Sequence, residues 1–170
     1  MPFIHVCSLQ RLEAAVDETG ARSVVSLLQE GTLVARPPAI ALDRHLLISV
    51  SDIVAPMEGQ ILPGEAHVRR LIGFVRRWDR NEPLLIHCFA GVSRSTAAAF
   101  IAACALNPAR GEEEIAWKIR TASPTATPNA LLVALADSQL ARNGRMVDAI
   151  ASIGRGEPCF EGVPFSLVLE

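Results

Sequence analysis

The side chains best placed for covalent chemistry lie in one segment. Residues 84–96 read Leu-Leu-Ile-His-Cys-Phe-Ala-Gly-Val-Ser-Arg-Ser-Thr. An apolar run leads into His87-Cys88, a short stretch with Gly91 follows, and Arg94-Ser95 open a longer apolar run. That pattern predicts a buried strand, a tight loop and a buried helix. A loop feeding a helix N-terminus gathers backbone N–H groups into one concavity, where the helix dipole adds positive potential. Gly91 lets the loop curl at little steric cost. Such a nest binds a tetrahedral oxyanion, with Phe89, Ala90, Gly91, Val92, Ser93 and Arg94 as its phosphate-binding residues. Arg94 adds a planar fork matched to two phosphate oxygens, where lysine would offer a point charge.

Cys88 stands at the mouth of this nest. Helix N-termini and nearby cations bring cysteine pKa values down to roughly 3.5–7.5, so the residue is expected to react as a thiolate. The cradle that holds the anion would then deliver phosphorus to the nucleophile.

Cys-x5-Arg between a strand and a helix, preceded by His87 and followed by Ser95, resembles the signature of the protein tyrosine phosphatase superfamily. The wording His-Cys-Phe-Ala-Gly-Val-Ser-Arg-Ser-Thr is most similar to its dual-specificity branch. The resemblance implies a phosphocysteine mechanism with a general acid from an upstream loop. Asp52, at the end of the run Leu46–Val50, is the first choice for that acid. Asp43 precedes the run and lies on the wrong side of it, while Glu58 shares the loop with Asp52 and remains a rival. The resemblance further implies that Ser95 donates to the leaving thiolate and that His87 orients the strand end. Asn129, in Ser-Pro-Thr-Ala-Thr-Pro-Asn, is expected either to support the site or only to begin a helix.

The implied enzyme is a phosphomonoester hydrolase acting on phosphotyrosine or phosphoserine/threonine of proteins, and it needs no metal or cofactor. Three alternatives stand beside it: a phosphoinositide or other small-molecule phosphatase, a silent phosphate-binding module, and a rhodanese-like sulfur transferase. The uncharged loop side chains Phe89, Ala90, Val92 and Ser93 weigh against the phosphoinositide. His5, Cys7, His87 and Cys88 match no common zinc spacing. Cys7, more than Cys104, could protect an oxidised Cys88 as a disulfide, although both read first as packed core thiols.

The flanking elements follow from apolar spacing and breakers. Short runs at Phe3–Val6, Ser23–Leu28, Leu46–Val50 and Leu84–His87 alternate with helical patterns at Leu9–Thr19, Glu65–Trp78 and Ser95–Leu106. A further helix opens at Glu112–Glu114. Thr127 reads as an N-cap with Pro128 at the first turn of a helix running to about Asn143, and a last helix fits Arg145–Ile153. Arg69, Arg70, Arg76 and Arg77 read as a solvated helix face. The expected fold is α/β: one domain over residues 1–170, with a mostly parallel sheet of four to five strands flanked by helices. Residues 155–170 form an irregular tail in which Phe165–Leu169 could be an edge strand.

Composition supports this reading. Half of the 170 residues are hydrophobic, which suits a packed core and argues against disorder. A net charge of −2 offers no general attraction to nucleic acid or anionic membrane. No apolar run approaches the roughly 18 residues of a membrane span. The start Met-Pro-Phe-Ile-His lacks a basic region followed by an apolar one, so a cytoplasmic location is expected. The partner is expected to be a phosphorylated protein or a small phosphorylated substrate.

Overall fold

A computed structural model describes residues 1–169 of the chain. Its strands are β1 (Phe3–Ser8), β2 (Ser23–Leu28), β3 (His45–Ser49), β4 (Leu84–Cys88) and β5 (Phe165–Val168). They form one sheet in the order β3-β2-β4-β1-β5. The first four run parallel, and β5 adds antiparallel to the outer edge of β1. The helices are α1 (Leu12–Thr19), α2 (Glu65–Arg77), α3 (Arg94–Leu106), α4 (Glu112–Ala122), α5 (Ala130–Gln139) and α6 (Arg145–Ile153). This is the mostly parallel, helix-flanked sheet expected from the alternating runs. No helix among the described residues is long and apolar enough to cross a membrane.

Side-chain alternation divides the strands between two packing layers. Cys7, Val24 and Leu85 face α1, packing with Leu12, Val16 and Ile40. Val6, Val25, Leu27, Ile48 and Ile86 face the opposite way, toward the large core. Helix α3 crosses that core with nearly every side chain buried, and Phe100 is its largest fully buried member. The run of alanines explains this placement, since small side chains let α3 lie close to the sheet and to its neighbouring helices.

The helix after the Ser123–Pro128 loop departs from expectation at both ends. Its N-cap is Asn129, whose side chain accepts from Leu132 N–H at 3.0 Å. The capping oxygen of Thr127 is committed elsewhere: its Oγ1 accepts from Gly156 N–H at 3.1 Å. The helix stops at Gln139 because the chain turns through left-handed Ala141 and Asn143. That turn carries Arg142 into the interior, where it donates to Glu112 at 2.8 Å and to Cys104 O at 2.7 Å. A buried ion pair thus overrides local helical propensity. At the other end of the chain, Leu9–Arg11 is a 3₁₀ turn rather than the first turn of α1. The tail expected to be irregular does lack regular structure until β5, but it has fixed contacts described below.

A polar chain threads the sheet beneath the loop. Ser26 Oγ lies 2.6 Å from His87 Nε2 and 2.8 Å from His45 Nε2, while His87 Nδ1 lies 3.2 Å from Cys88 O. With His87 neutral, all three contacts are met when His87 Nδ1–H donates to the carbonyl, Ser26 donates to His87, and His45 Nε2–H donates to Ser26. The buried position of His87 favours this neutral form. Burial is the main reason its pKa is pushed down to about 4, with Arg94 and His45 acting in the same direction.

The unfolded chain therefore binds a proton that the native chain refuses between about pH 6.5 and about pH 4. This contribution to stability is complete above that window and is lost as pH falls through it, with an integrated size of about 3 kcal/mol. Urea unfolding of wild type is expected to show this loss between pH 7 and pH 4. His87→Asn should lack that component of the slope. Parallel pH curves for the two proteins would refute the assignment. In the core, Phe100→Ala is expected to lower unfolding free energy by about 3–5 kcal/mol in the same assay.

Candidate active site

The parallel strands direct their carboxyl ends to one edge, and the loop after β4 opens there into α3. The orientation of this loop follows from where its carbonyls go. Cys88 O faces the His87 ring at 3.2 Å. Phe89 O accepts from Leu9 N–H at 3.1 Å, and Ala90 O from Gly162 N–H at 2.8 Å. Val92 O accepts from Thr127 N–H at 2.9 Å, and Ser93 O from Asn129 N–H at 3.2 Å. In a trans peptide the N–H points opposite to the C=O. Carbonyls tied outward therefore turn the N–H groups of residues 89–91, 93 and 94 inward. Gly91 adopts φ +73°, and a Cβ there would meet Cys7 O at 3.0 Å, so both the turn and the space demand glycine.

The inward groups converge on the cysteine. Gly91 N–H donates to Cys88 Sγ at 3.3 Å, and Ser95 Oγ lies 3.1 Å from the same sulfur. Arg94 is 8% exposed, and its Nη1 donates to Val50 O at 2.9 Å. Its Nε is buried without a hydrogen-bond partner. Buried donors are nearly always paired in native proteins, so an orphaned guanidinium N–H beside a ring of inward N–H groups offers donors that an anion could satisfy.

Asp52 sits across from the loop. Its Oδ1 accepts from Ser93 Oγ at 2.6 Å and from Asn129 Nδ2 at 3.0 Å, and no hydrogen bond engages its Oδ2. The surrounding backbone is pinned: Asn129 Nδ2 donates to Ile53 O at 3.2 Å, and Ser51 N–H to Ile61 O at 2.9 Å. Asn129 thus caps α5 and also ties down the Asp52–Ile53 segment. Glu58 is exposed and makes no hydrogen bond to the phosphate loop. Asp43 lies with Arg44 and Trp78 around a separate cavity. A cleft of about 510 Å³ beside Asp52 and Ser93 is also lined by Asn129, Arg155 and Cys159.

The strand register places Cys7 beside His87, and Cys7 and Cys88 belong to opposite packing layers. Burial is the main cause pushing the Cys7 thiol up to about 12. Cys104 is likewise buried and raised to about 12, again mainly by burial. The phosphate-loop side chain of Phe89 is 66% exposed, so its share in the nest is its backbone. Among the described residues no cluster of three His, Cys, Asp or Glu side chains could hold a metal ion.

Sequence reasoning missed Ser26, Thr127, Ser8, Glu161 and Gly162 as supports of the site. Ser8 Oγ donates to Glu161 at 2.5 Å, next to the Gly162 contact. Thr127 was legible as a loop residue, but only its partner Val92 reveals its use. A glycine in an irregular tail gives no sign of what it touches.

No protein-family model and no curated protein matches the sequence. Solved structures do match. Human DUSP28 is 18% identical over 82% of this chain and 94% of that one, with a TM-score of 0.61. The human tyrosine phosphatase-like serine/threonine/tyrosine-interacting protein is 15% identical over 82% and 92%, with a TM-score of 0.62. PTPMT1 in complex with PI(5)P is 16% identical over 82% and 94%, with a TM-score of 0.58. At such identity the likeness bears on architecture, and it agrees with the sheet order, the buried helix and the loop between them: the chain has the fold of the dual-specificity-phosphatase-like members of the protein tyrosine phosphatase superfamily.

Proposed function

We propose that the protein is a phosphomonoester hydrolase that works through a phosphocysteine on Cys88, with phosphorylated protein side chains as its substrates. The observation that carries this reading is the ring of inward N–H groups around Cys88, completed by the orphaned Nε of Arg94. The ring supplies donors where negative charge develops on the equatorial oxygens of a transferring phosphoryl group.

In the first step the Cys88 thiolate attacks phosphorus. The S–P bond forms as the ester O–P bond breaks, and Asp52 gives its proton to the departing oxygen. Oδ1 of Asp52 is held by two donors, so the proton to be given resides on Oδ2. In the second step water attacks phosphorus and yields a proton to Asp52 while the S–P bond breaks. Ser95 Oγ, 3.1 Å from the sulfur, donates to the leaving thiolate. His87, neutral and tied to Ser26, acts on geometry and takes no proton in either step. The uncharged loop side chains Phe89, Ala90, Val92 and Ser93 favour a phosphoprotein over a phosphoinositide.

Cys88→Ser is expected to abolish p-nitrophenyl phosphate turnover while retaining binding of inorganic phosphate. Full activity in that variant would end the proposal. Asp52→Ala should cut kcat by about 10²–10⁴-fold and flatten the alkaline limb of the pH profile, as loss of a general acid does. Unchanged kinetics would move the acid to another residue, with Glu58 next in line. A panel of phosphotyrosine, phosphoserine and phosphothreonine peptides beside phosphoinositides should show turnover of peptides. Turnover of lipids alone would replace the phosphoprotein reading.

A further inference from the structure

Residues 154–164, between α6 and β5, cross the loop after β4, and Gly162 N–H bonds to Ala90 O there. We infer that Gly162 is a positioning residue: it holds the Ala90–Gly91 peptide so that Gly91 N–H faces Cys88 Sγ. The inference rests on the proposed role of Cys88 but concerns a segment outside the signature motif.

The chain of contacts is short. Gly162 N–H donates to Ala90 O at 2.8 Å. Ala90 C=O and Gly91 N–H are the two ends of one planar peptide, so the first contact sets the direction of the second. Gly91 N–H donates to Cys88 Sγ at 3.3 Å. The same glycine controls the next peptide by shape. A Cβ on Gly162 would stand 2.7 Å from Gly91 O, inside any real contact distance. Gly91 cannot retreat, because its own far side lies against the backbone of Cys7 and Ser8, where a Cβ would come within 2.9–3.0 Å. The loop is therefore held between the end of β1 and residue 162. A displaced Gly91 carbonyl would tilt Val92 N–H, the other end of that peptide.

A latch fixes the segment in this position. Ser8 Oγ, at the end of β1, donates to Glu161 Oε1 at 2.5 Å. Upstream, Gly156 N–H donates to Thr127 Oγ1 at 3.1 Å and Glu157 N–H to Pro124 O at 3.0 Å. A Cβ on Gly156 would stand 2.5 Å from Thr125 O, so the segment is seated closely there too. Downstream, β5 anchors it to β1. The segment also carries Arg155 and Cys159 to the cleft beside Asp52. A stretch without regular structure is thus fixed at both ends and at its middle, and its middle is the residue that meets the nest.

The test compares wild type with Gly162→Ala, Glu161→Ala and Glu161→Gln, each checked for a cooperative thermal melt. Three quantities are measured: binding of inorganic phosphate by titration calorimetry, p-nitrophenyl phosphate turnover, and iodoacetamide alkylation of the Cys88 peptide at pH 7, followed by mass. Gly162→Ala is expected to weaken phosphate binding, slow turnover and slow alkylation, each by about tenfold or more, because sub-ångström misplacement of preorganised donors is costly. Glu161→Ala should show the same three changes at about threefold, and Glu161→Gln, which still accepts from Ser8, should restore them. A merely structural role predicts the reverse for alkylation, which rises when a fold loosens. Gly162→Ala with all three values within twofold of wild type overturns the inference, as does faster alkylation with unchanged phosphate affinity. Should Gly162→Ala fail to fold, Glu161→Ala decides: wild-type values in all three assays overturn the inference. Wild type that binds phosphate but turns over no ester would sink the hydrolase reading alone, and the binding and alkylation arms would still judge Gly162.

Discussion

The site depends on the outward tethering of the phosphate-loop carbonyls. A six-residue loop could satisfy its polar groups in many ways, most of which leave N–H groups pointing to solvent. Here five carbonyls are held by groups from different parts of the chain: the His87 ring, Leu9, Gly162, Thr127 and Asn129. Each tether spends a donor outside the nest to aim another donor into it. The concavity is therefore prepared before any ligand arrives, and the reorganisation that would weaken anion binding has been completed during folding.

Arg94 links the nest to the acid. Its Nη1 reaches Val50 O, two residues before Asp52, while Ser93 and Asn129 hold the Asp52 carboxylate directly. Three side chains thus converge on the segment from Val50 to Asp52: the Arg94 guanidinium, the Ser93 hydroxyl and the Asn129 amide. The serine matters particularly because it belongs to the phosphate loop itself. A movement of the acid loop would be felt at Ser93, and a distortion of the nest would be felt at Asp52. The loop after β4 and the segment carrying Asp52 are coupled through one hydrogen bond of 2.6 Å.

Local sequence carried most of the chemistry. Cys88, Gly91, Arg94 and Ser95 fall in one continuous segment whose roles follow from helix dipole, turn geometry and donor shape. The strands were legible because each is an unbroken apolar run, and α3 because its apolar residues cover every face. What escaped notice shares a different physical origin. The end of α5 was set by Arg142, which is drawn inward by a glutamate from another helix. Thr127 reads as a cap because threonine commonly is one, yet its hydroxyl is engaged by the distant Gly156 N–H. Gly162 carried no local preference that could betray it, since its φ is ordinary and only a close approach requires it. Contacts between segments far apart in the chain leave little trace in periodicity or propensity.

The buried guanidinium gives this arrangement its direction. An arginine that is 8% exposed has been taken out of water, and desolvation opposes folding unless its donors are met. Val50 O meets one of them, while Nε meets none. Leaving a buried donor unpaired costs about 1–3 kcal/mol, more beside a charge. A chain selected only for stability would do better with an apolar residue at position 94. The same donor becomes favourable once an oxyanion occupies the nest, because the anion supplies both the missing acceptor and the missing charge. On the proposed function, Arg94 is thus costly in the free protein and a source of affinity in the bound one.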